Sequence, residues 1–243
     1  MSSSRPTSLS GRLARLGFGD PERARRLLAD PVLAGLLDPL DEVFEDDLLL
    51  DLAEAPDPDL ALTGLVRVME SLRAMNRLEP DDPLVAGADS AHLLQAIRVS
   101  GPVRHRLFAV LGSSAALADH LARHPAHWAV LSDDQIPTAA QLRTALLQAV
   151  HADPNATTPV ADQGGSVGQD RLRVEYRRRL LSLAARDLSC PHPTAMLPSV
   201  GRELADLAAA ALEAALAIAR AELAPDAVPC RIAVIAMGKC GGK

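Results

Sequence analysis

The chain has 243 residues, ample for one large domain or two small ones with a sizeable core. Apolar residues make up 48% and aromatics only 2%, so the core must be built from Leu, Ala and Val, a mixture that favours helices. A net charge of −6 argues against a protein that coats nucleic acid.

The first nineteen residues hold Ser and Arg but no acid before Asp20, and they read as a flexible polar start without a secretory h-region. Helices then announce themselves by Asp-Pro. Asp20-Pro21, Asp30-Pro31 and Asp57-Pro58 each offer a capping acceptor followed by proline at the first helical position. The pattern predicts helices over 21–29, 31–37, 46–54 and 58–77, with a break at Glu79-Pro80-Asp81-Asp82-Pro83. Ser90 opens a helix to about Val99, Gly101-Pro102 another over 103–111, and a third runs over 114–123. His124-Pro125 ends that one, because the residue before proline is pushed out of the helical region. Trp128 packs a short helix to about Leu131. Residues 138–151 are helical again, with Leu142, Leu146 and Val150 on one face. Residues 152–169, rich in Gly, Pro, Asn and Thr, read as a linker. Helices over 170–188 and 199–223 follow. The domain organisation expected is therefore 1–19 flexible, 20–151 helical, 152–169 linker, 170–228 long helices, and 229–243 a strand and turn.

The last thirteen residues differ from everything before them. Arg231-Ile232-Ala233-Val234-Ile235-Ala236-Met237 is a short apolar run with β-branched residues, bounded by Pro229 and Gly238, and reads as a buried strand. Such a strand needs hydrogen-bonding neighbours, and no other segment is a convincing strand. The expectation is a domain whose sheet lies mostly beyond residue 243. Gly238, Gly241 and Gly242 allow close backbone approach to a ligand, Lys239 and Lys243 add charge, and successive amides in such a turn can cradle an anion. A P-loop is excluded because Met237 stands where its first glycine belongs, and the dinucleotide fingerprint because Lys239 and Cys240 follow Gly238.

Three other groups bear chemistry. His120, His124 and His127 could approach a metal, but Pro125 interrupts the geometry and no third ligand class is obvious, so capping or surface histidines are the preferred reading. The arginines at 171, 173, 177, 178, 179 and 186 could meet phosphate, yet six on one helix cannot share one site, and local ion pairs are preferred. Cys190, Cys230 and Cys240 are too few and scattered for a disulfide framework or zinc cluster, which fits a reducing compartment. No uncharged run approaches the ~18 residues of a membrane span.

Residues Arg231 to Gly242 closely resemble the first strand and glycine turn of the glutamine synthetase adenylyltransferase (glutamate–ammonia-ligase adenylyltransferase) family. Upstream, Arg106-Leu107-Phe108-Ala109-Val110-Leu111-Gly112-Ser113-Ser114, Leu117-Ala118-Asp119-His120-Leu121, His124-Pro125 with Trp128, and Tyr176-Arg177 followed by Leu183-Ala184-Ala185-Arg186-Asp187-Leu188 resemble the family's helical N-terminal region. In fine detail the resemblance is to actinobacterial members. It implies a mainly α fold: an irregular multi-helix region leading into the first strand of a truncated polymerase-β-like nucleotidyltransferase domain, α+β in the full-length protein. It implies Gly238, Lys239, Gly241 and Gly242 as the phosphate-proximal turn, with no catalytic residue or metal ligand in this chain, since the family's Asp-x-Asp strand would follow. The implied enzyme is cytoplasmic and bifunctional. It uses Mg²⁺ with ATP, ADP and phosphate to add AMP to a tyrosine of glutamine synthetase and to remove it by phosphorolysis. Glutamine synthetase and a PII signalling protein are its implied partners, with no nucleic acid or membrane. The fragment alone is expected to be inactive. The competing reading is a stand-alone α-helical interaction module whose last strand docks onto a partner.

Overall fold

A computed structural model describes residues 8–34, 42–78, 90–99, 101–224, 227 and 233–235. Among these residues every regular element is helical. The chain divides into two compact units, Met1–Asp133 and Asp134–Lys243.

The first unit is organised around α4 (Pro58–Leu78). Its apolar residues Ala61, Leu62, Leu65, Val68, Met69 and Leu72 recur at three- and four-residue steps and are buried. Around α4 pack α2 (Pro21–Leu28), α3 (Glu42–Ala53), α5 (Ser90–Arg98), α6 (Pro102–Ser113) and α7 (Ala115–Arg123), together with short 3₁₀ helices at Pro31–Leu33 and Pro125–Ser132. The Asp-Pro starts behave as the sequence predicts. Asp20 accepts from the Arg23 amide at 2.9 Å, Asp30 from Val32 at 2.8 Å and Asp57 from Leu60 at 2.9 Å. Asp59 reaches further. Its carboxylate takes the Gly19 amide at 2.6 Å and the Asp20 amide at 3.3 Å, fixing the start of α2 against the start of α4.

Close packing fixes the contact of α6 with the residues just before α4. A methyl group on Gly112 would lie 2.9 Å from the Ala55 Cβ and 2.9 Å from the Asp57 carbonyl oxygen. Only hydrogen fits there. One charge is buried deeply: Arg104 of α6 is 1% exposed, pairs with the Asp51 carboxylate of α3, and donates to the Ile97 carbonyl at 3.3 Å.

Several helix limits depart from the sequence expectation. Leu9–Arg15 forms α1, capped by Ser8, with Leu13 fully buried; Leu9, Leu13 and Leu16 recur at helical spacing, a signal the reading of a flexible start passed over. The 31–37 expectation is met only as the 3₁₀ turn at Pro31–Leu33, with residues 35–41 outside the described residues.

The second unit contains α8 (Ala139–Ala149), α9 (Gly165–Leu188) and α10 (Pro193–Ala221), packed on one another. Thr138 and Gln141 close a reciprocal capping box at the start of α8. The core is formed by Leu142, Leu146, Leu147 and Val150 of α8 against Leu207, Ala210, Ala214, Ala217 and Ile218 of α10, with Leu172, Tyr176 and Leu180 of α9 alongside. Ala152 and Ala161, within the stretch read as a linker, are buried in this core. The helix expected from Asp170 begins five residues earlier, at Gly165, whose φ of 61° suits glycine. The helix expected from Ser199 begins at Pro193 and carries Pro198 inside its second turn. A proline so near the start removes only one early hydrogen bond, which is why the helix tolerates it.

Candidate functional site

Gly238, Lys239, Gly241 and Gly242, the residues expected to form the phosphate-proximal turn, lie outside the described residues, as does most of the expected strand. Ala233, Val234 and Ile235 are described. They are irregular in backbone and exposed, Ile235 at 83%. The structure therefore places the helical platform that precedes this segment.

That platform is held by charged and main-chain ties rather than by apolar packing alone. Arg143 of α8 grips Glu213 of α10 through two parallel contacts of 2.7 and 2.6 Å and donates to the Pro154 carbonyl at 2.6 Å. This fork geometry suits a guanidinium and raises the Arg143 pKa further, chiefly through the hydrogen bond to Glu213. Arg186 of α9 pairs with Glu203 of α10, and both side chains are under a tenth exposed. Arg186 also donates to the Ser182 hydroxyl at 2.7 Å. Near the end of α10, the Ala217 carbonyl accepts from the Ala161 amide at 3.0 Å, Arg220 donates to the Pro159 carbonyl at 3.0 Å, and the Glu222 carboxylate accepts from the Gly165 amide. The carboxylate thus meets the amide end of α9, where negative charge is favoured.

The arginines of α9 do not converge on one site. Arg171 meets Asp162 at 2.7 Å, Arg173 meets Asp170 at 2.8 Å, and Arg178 and Arg179 meet Glu175 at 3.3 and 2.6 Å. Arg177 is exposed. Local ion pairing accounts for Arg171, Arg173, Arg178 and Arg179, in line with the preferred sequence reading, while Arg186 crosses to α10. Asp162 also receives His151 at 3.0 Å. Partial burial pushes its carboxyl up, but Arg171 and His151 outweigh this and hold it below the ordinary value.

In the first unit the three histidines do gather. The ring centroids of His120, His124 and His127 lie 5.0 to 5.5 Å apart, and His120 Nε2 is 3.0 Å from His127 Nδ1. One of that pair must donate and the other accept, so at least one of the two facing nitrogens is unprotonated. Among the described residues no group of three His, Cys, Asp or Glu side chains is arranged to hold a metal ion. The described residues thus offer Mg²⁺ no carboxylate set. No helix among them is long and apolar enough to cross a membrane.

Two features escaped the sequence reading. The pairs Arg104–Asp51 and Arg186–Glu203 were hidden among many charged residues; for Arg104 the one available signal was its place on a face with Leu107, Phe108 and Leu111.

The described residues thus form two helical units, a mainly α architecture. The family model for glutamate-ammonia ligase adenylyltransferase matches residues 104–243. The chain belongs to that family. It is 43% identical over 243 residues to the bifunctional glutamine synthetase adenylyltransferase/adenylyl-removing enzyme of Streptomyces avermitilis, covering 98% of this chain and 20% of the relative. It is 42% identical to the enzyme of the same description from Streptomyces coelicolor, covering 100% of this chain and 21% of the relative. It is 41% identical over 235 residues to that of Mycobacterium avium, covering 95% and 21%. The chain thus spans about a fifth of the length of the curated relatives it matches. No solved structure matches it.

Proposed function

We propose that this chain is the helical N-terminal region, with the first strand and glycine turn of a nucleotidyltransferase domain, of an enzyme that adds AMP to glutamine synthetase and removes it again by phosphorolysis. In this reading Gly238, Lys239, Gly241 and Gly242 approach phosphate, and ATP, ADP, phosphate and Mg²⁺ are handled by the full-length enzyme. Glutamine synthetase is its substrate and a PII signalling protein its regulator. The observation that carries the reading is identity of about two residues in five along essentially the whole chain to enzymes of that description.

Nucleotidyl transfer needs metal-held charge at the reacting phosphate. The sequence's one Asp-x-Asp, Asp57-Pro58-Asp59, stands at the start of α4 and is spent on helix capping and on binding the Gly19 amide. The isolated chain is therefore inactive and serves as scaffold. Incubating it with adenylylated glutamine synthetase, Mg²⁺ and phosphate is expected to release no nucleotide above background, and measurable ADP would overturn its inactivity. The family function is tested separately by placing this chain's coding sequence, in place of the matching fifth, into the Streptomyces coelicolor enzyme. Retained adenylylation and de-adenylylation support the reading. A folded chimera without either activity refutes it.

A further inference from the structure

Three imidazoles meet where α7 gives way to the 3₁₀ helix Pro125–Ser132. His120, in the last turns of α7, is 1% exposed, and its Nε2 lies 3.0 Å from Nδ1 of His127 in the 3₁₀ helix. His124, between them in sequence, stacks on His127 with ring centroids 5.5 Å apart. The His120–His127 contact therefore ties the end of α7 to the 3₁₀ helix. That helix in turn carries Trp128 and Leu131 into the core of the first unit.

The contact has room for one proton between its two nitrogens. With both rings neutral, one facing nitrogen donates and the other accepts. With one ring charged, the imidazolium donates to its neutral neighbour, and the bond is strengthened by the charge. With both rings charged, two N–H groups point at each other across the same gap, and neither finds an acceptor there. Imidazole is the side chain that ordinarily changes charge between about pH 5 and 8, so the passage from a bonded to a repelling pair falls in mild acid.

The groups around the pair favour one positive charge over two. The carbonyl end of α7 attracts a cation. Asp119 of α7 is taken by Arg67 of α4 at 2.7 Å, and Arg123 of α7 turns its Nε to the Asp119 carbonyl at 3.1 Å. Glu70 of α4 is exposed, and Asp133 stands at the far end of the 3₁₀ helix. On α6, Arg104 pairs with Asp51, His105 meets Glu54 at 3.5 Å, and Arg106 donates to the Leu131 carbonyl at 2.8 Å. A second imidazolium thus meets the first, and the stacked His124 ring, in a neighbourhood that already holds three arginines.

We propose that the His120–His127 contact is an acid-sensitive latch, which holds the Pro125–Ser132 helix against α7 while the two rings share at most one proton and releases it when both are charged. The proposal does not rest on the enzymatic reading.

Trp128 is the chain's one tryptophan and lies within the latched helix, so its fluorescence reports the release. Between about pH 7.5 and 4.5 its emission should shift to the red in one step while the helical circular dichroism stays level. His127→Gln keeps a donor and an acceptor but does not titrate. It should match the parent's emission at the upper pH and lose the step, whereas His124→Gln should keep it. Nitrogen-15 spectra of the parent's histidine rings give a reading that needs no variant. His120 and His127 should titrate as a coupled pair, in steps more than about one pH unit apart, the second coinciding with the Trp128 step. Emission that stays constant over this range overturns the proposal. So does a step that survives in a folded His127→Gln chain, one that coincides with loss of the helical signal, or independent titration of the two rings.

Discussion

Arg186 of α9 and Glu203 of α10 face each other within the second unit with both side chains nearly sealed from water. Truncating one partner strands the other's charge in a poorly solvated site, whereas replacing both with apolar residues of similar size removes the desolvation penalty together with the attraction. Glu203→Leu is expected to lower stability by about 3–5 kcal/mol in urea unfolding, and Arg186→Met with Glu203→Leu to recover most of that loss. Equal losses in the single and double variants would show that the site acts through packing alone.

The Arg143–Glu213 pair has better geometry but stands one-third exposed on both sides. Solvent screens it, and exposed pairs contribute about 0–1 kcal/mol. Arg143→Met is expected to cost roughly 1 kcal/mol by the same measurement, even with the added contact to Pro154. A loss as large as that of Glu203→Leu would contradict this ranking of burial over geometry.

Gly112 and Gly168 each face backbone oxygen that cannot swing aside. A methyl group on Gly168 would stand 2.6 Å from the Gln163 carbonyl and 3.1 Å from Ile218. Gly112→Ala and Gly168→Ala are each expected to destabilise by about 1–3 kcal/mol, despite alanine's better helix propensity. Differential scanning calorimetry of each variant checks this; a raised melting temperature in either would mean that the backbone yields more readily than its packing suggests.

Asp119 and Asp162 are among the carboxylates whose depressed pKa adds to the acid limb of stability, as does Glu22. Asp119 is held below its ordinary 3.8 chiefly by the Arg67 hydrogen bond. Asp162 is pushed up by partial burial and pulled down more strongly by Arg171 and His151. Each folded value is depressed, so each contribution is fully present above the unfolded value near 3.8 and disappears as pH falls through the folded one. Melting temperatures from pH 6 to 2.5 should show a shallower acid decline for Asp119→Asn and Asp162→Asn than for the parent chain. Parallel curves would remove both groups from the acid transition.

Four starts that lie in local sequence were legible, while the equally local Ser8 cap of α1 was passed over. Asp20, Asp30, Asp57 and Thr138 cap within three residues of themselves, so the signal and the structure share one window. The start of α9 was not legible, because the group that receives its first amide is Glu222, 57 residues away. The start of α10 falls six residues before the expected Ser199, at Pro193, with Pro198 inside the helix. Proline reads as a boundary, yet in the second turn of α10 it costs little. Arg173, Arg178 and Arg179 pair within α9 as read, Arg171 reaches Asp162 just before it, and Arg186, grouped with the solvated ones, instead crosses to α10. The expected turn at Gly238, Lys239, Gly241 and Gly242 lies outside the described residues and rests on its spacing in the sequence alone.

The ties joining residues 159–165 to the last turns of α10 couple two helix ends that would otherwise fray separately. Ala161 and Arg220 fasten the loop to the helix, and Glu222 meets the first amide of α9. Unwinding the end of α10 releases that amide, and loosening the start of α9 frees the Glu222 carboxylate. The two ends therefore open as one cooperative element. Unfolding energy stored in either end is thereby shared between α9 and α10 through residues 159–165.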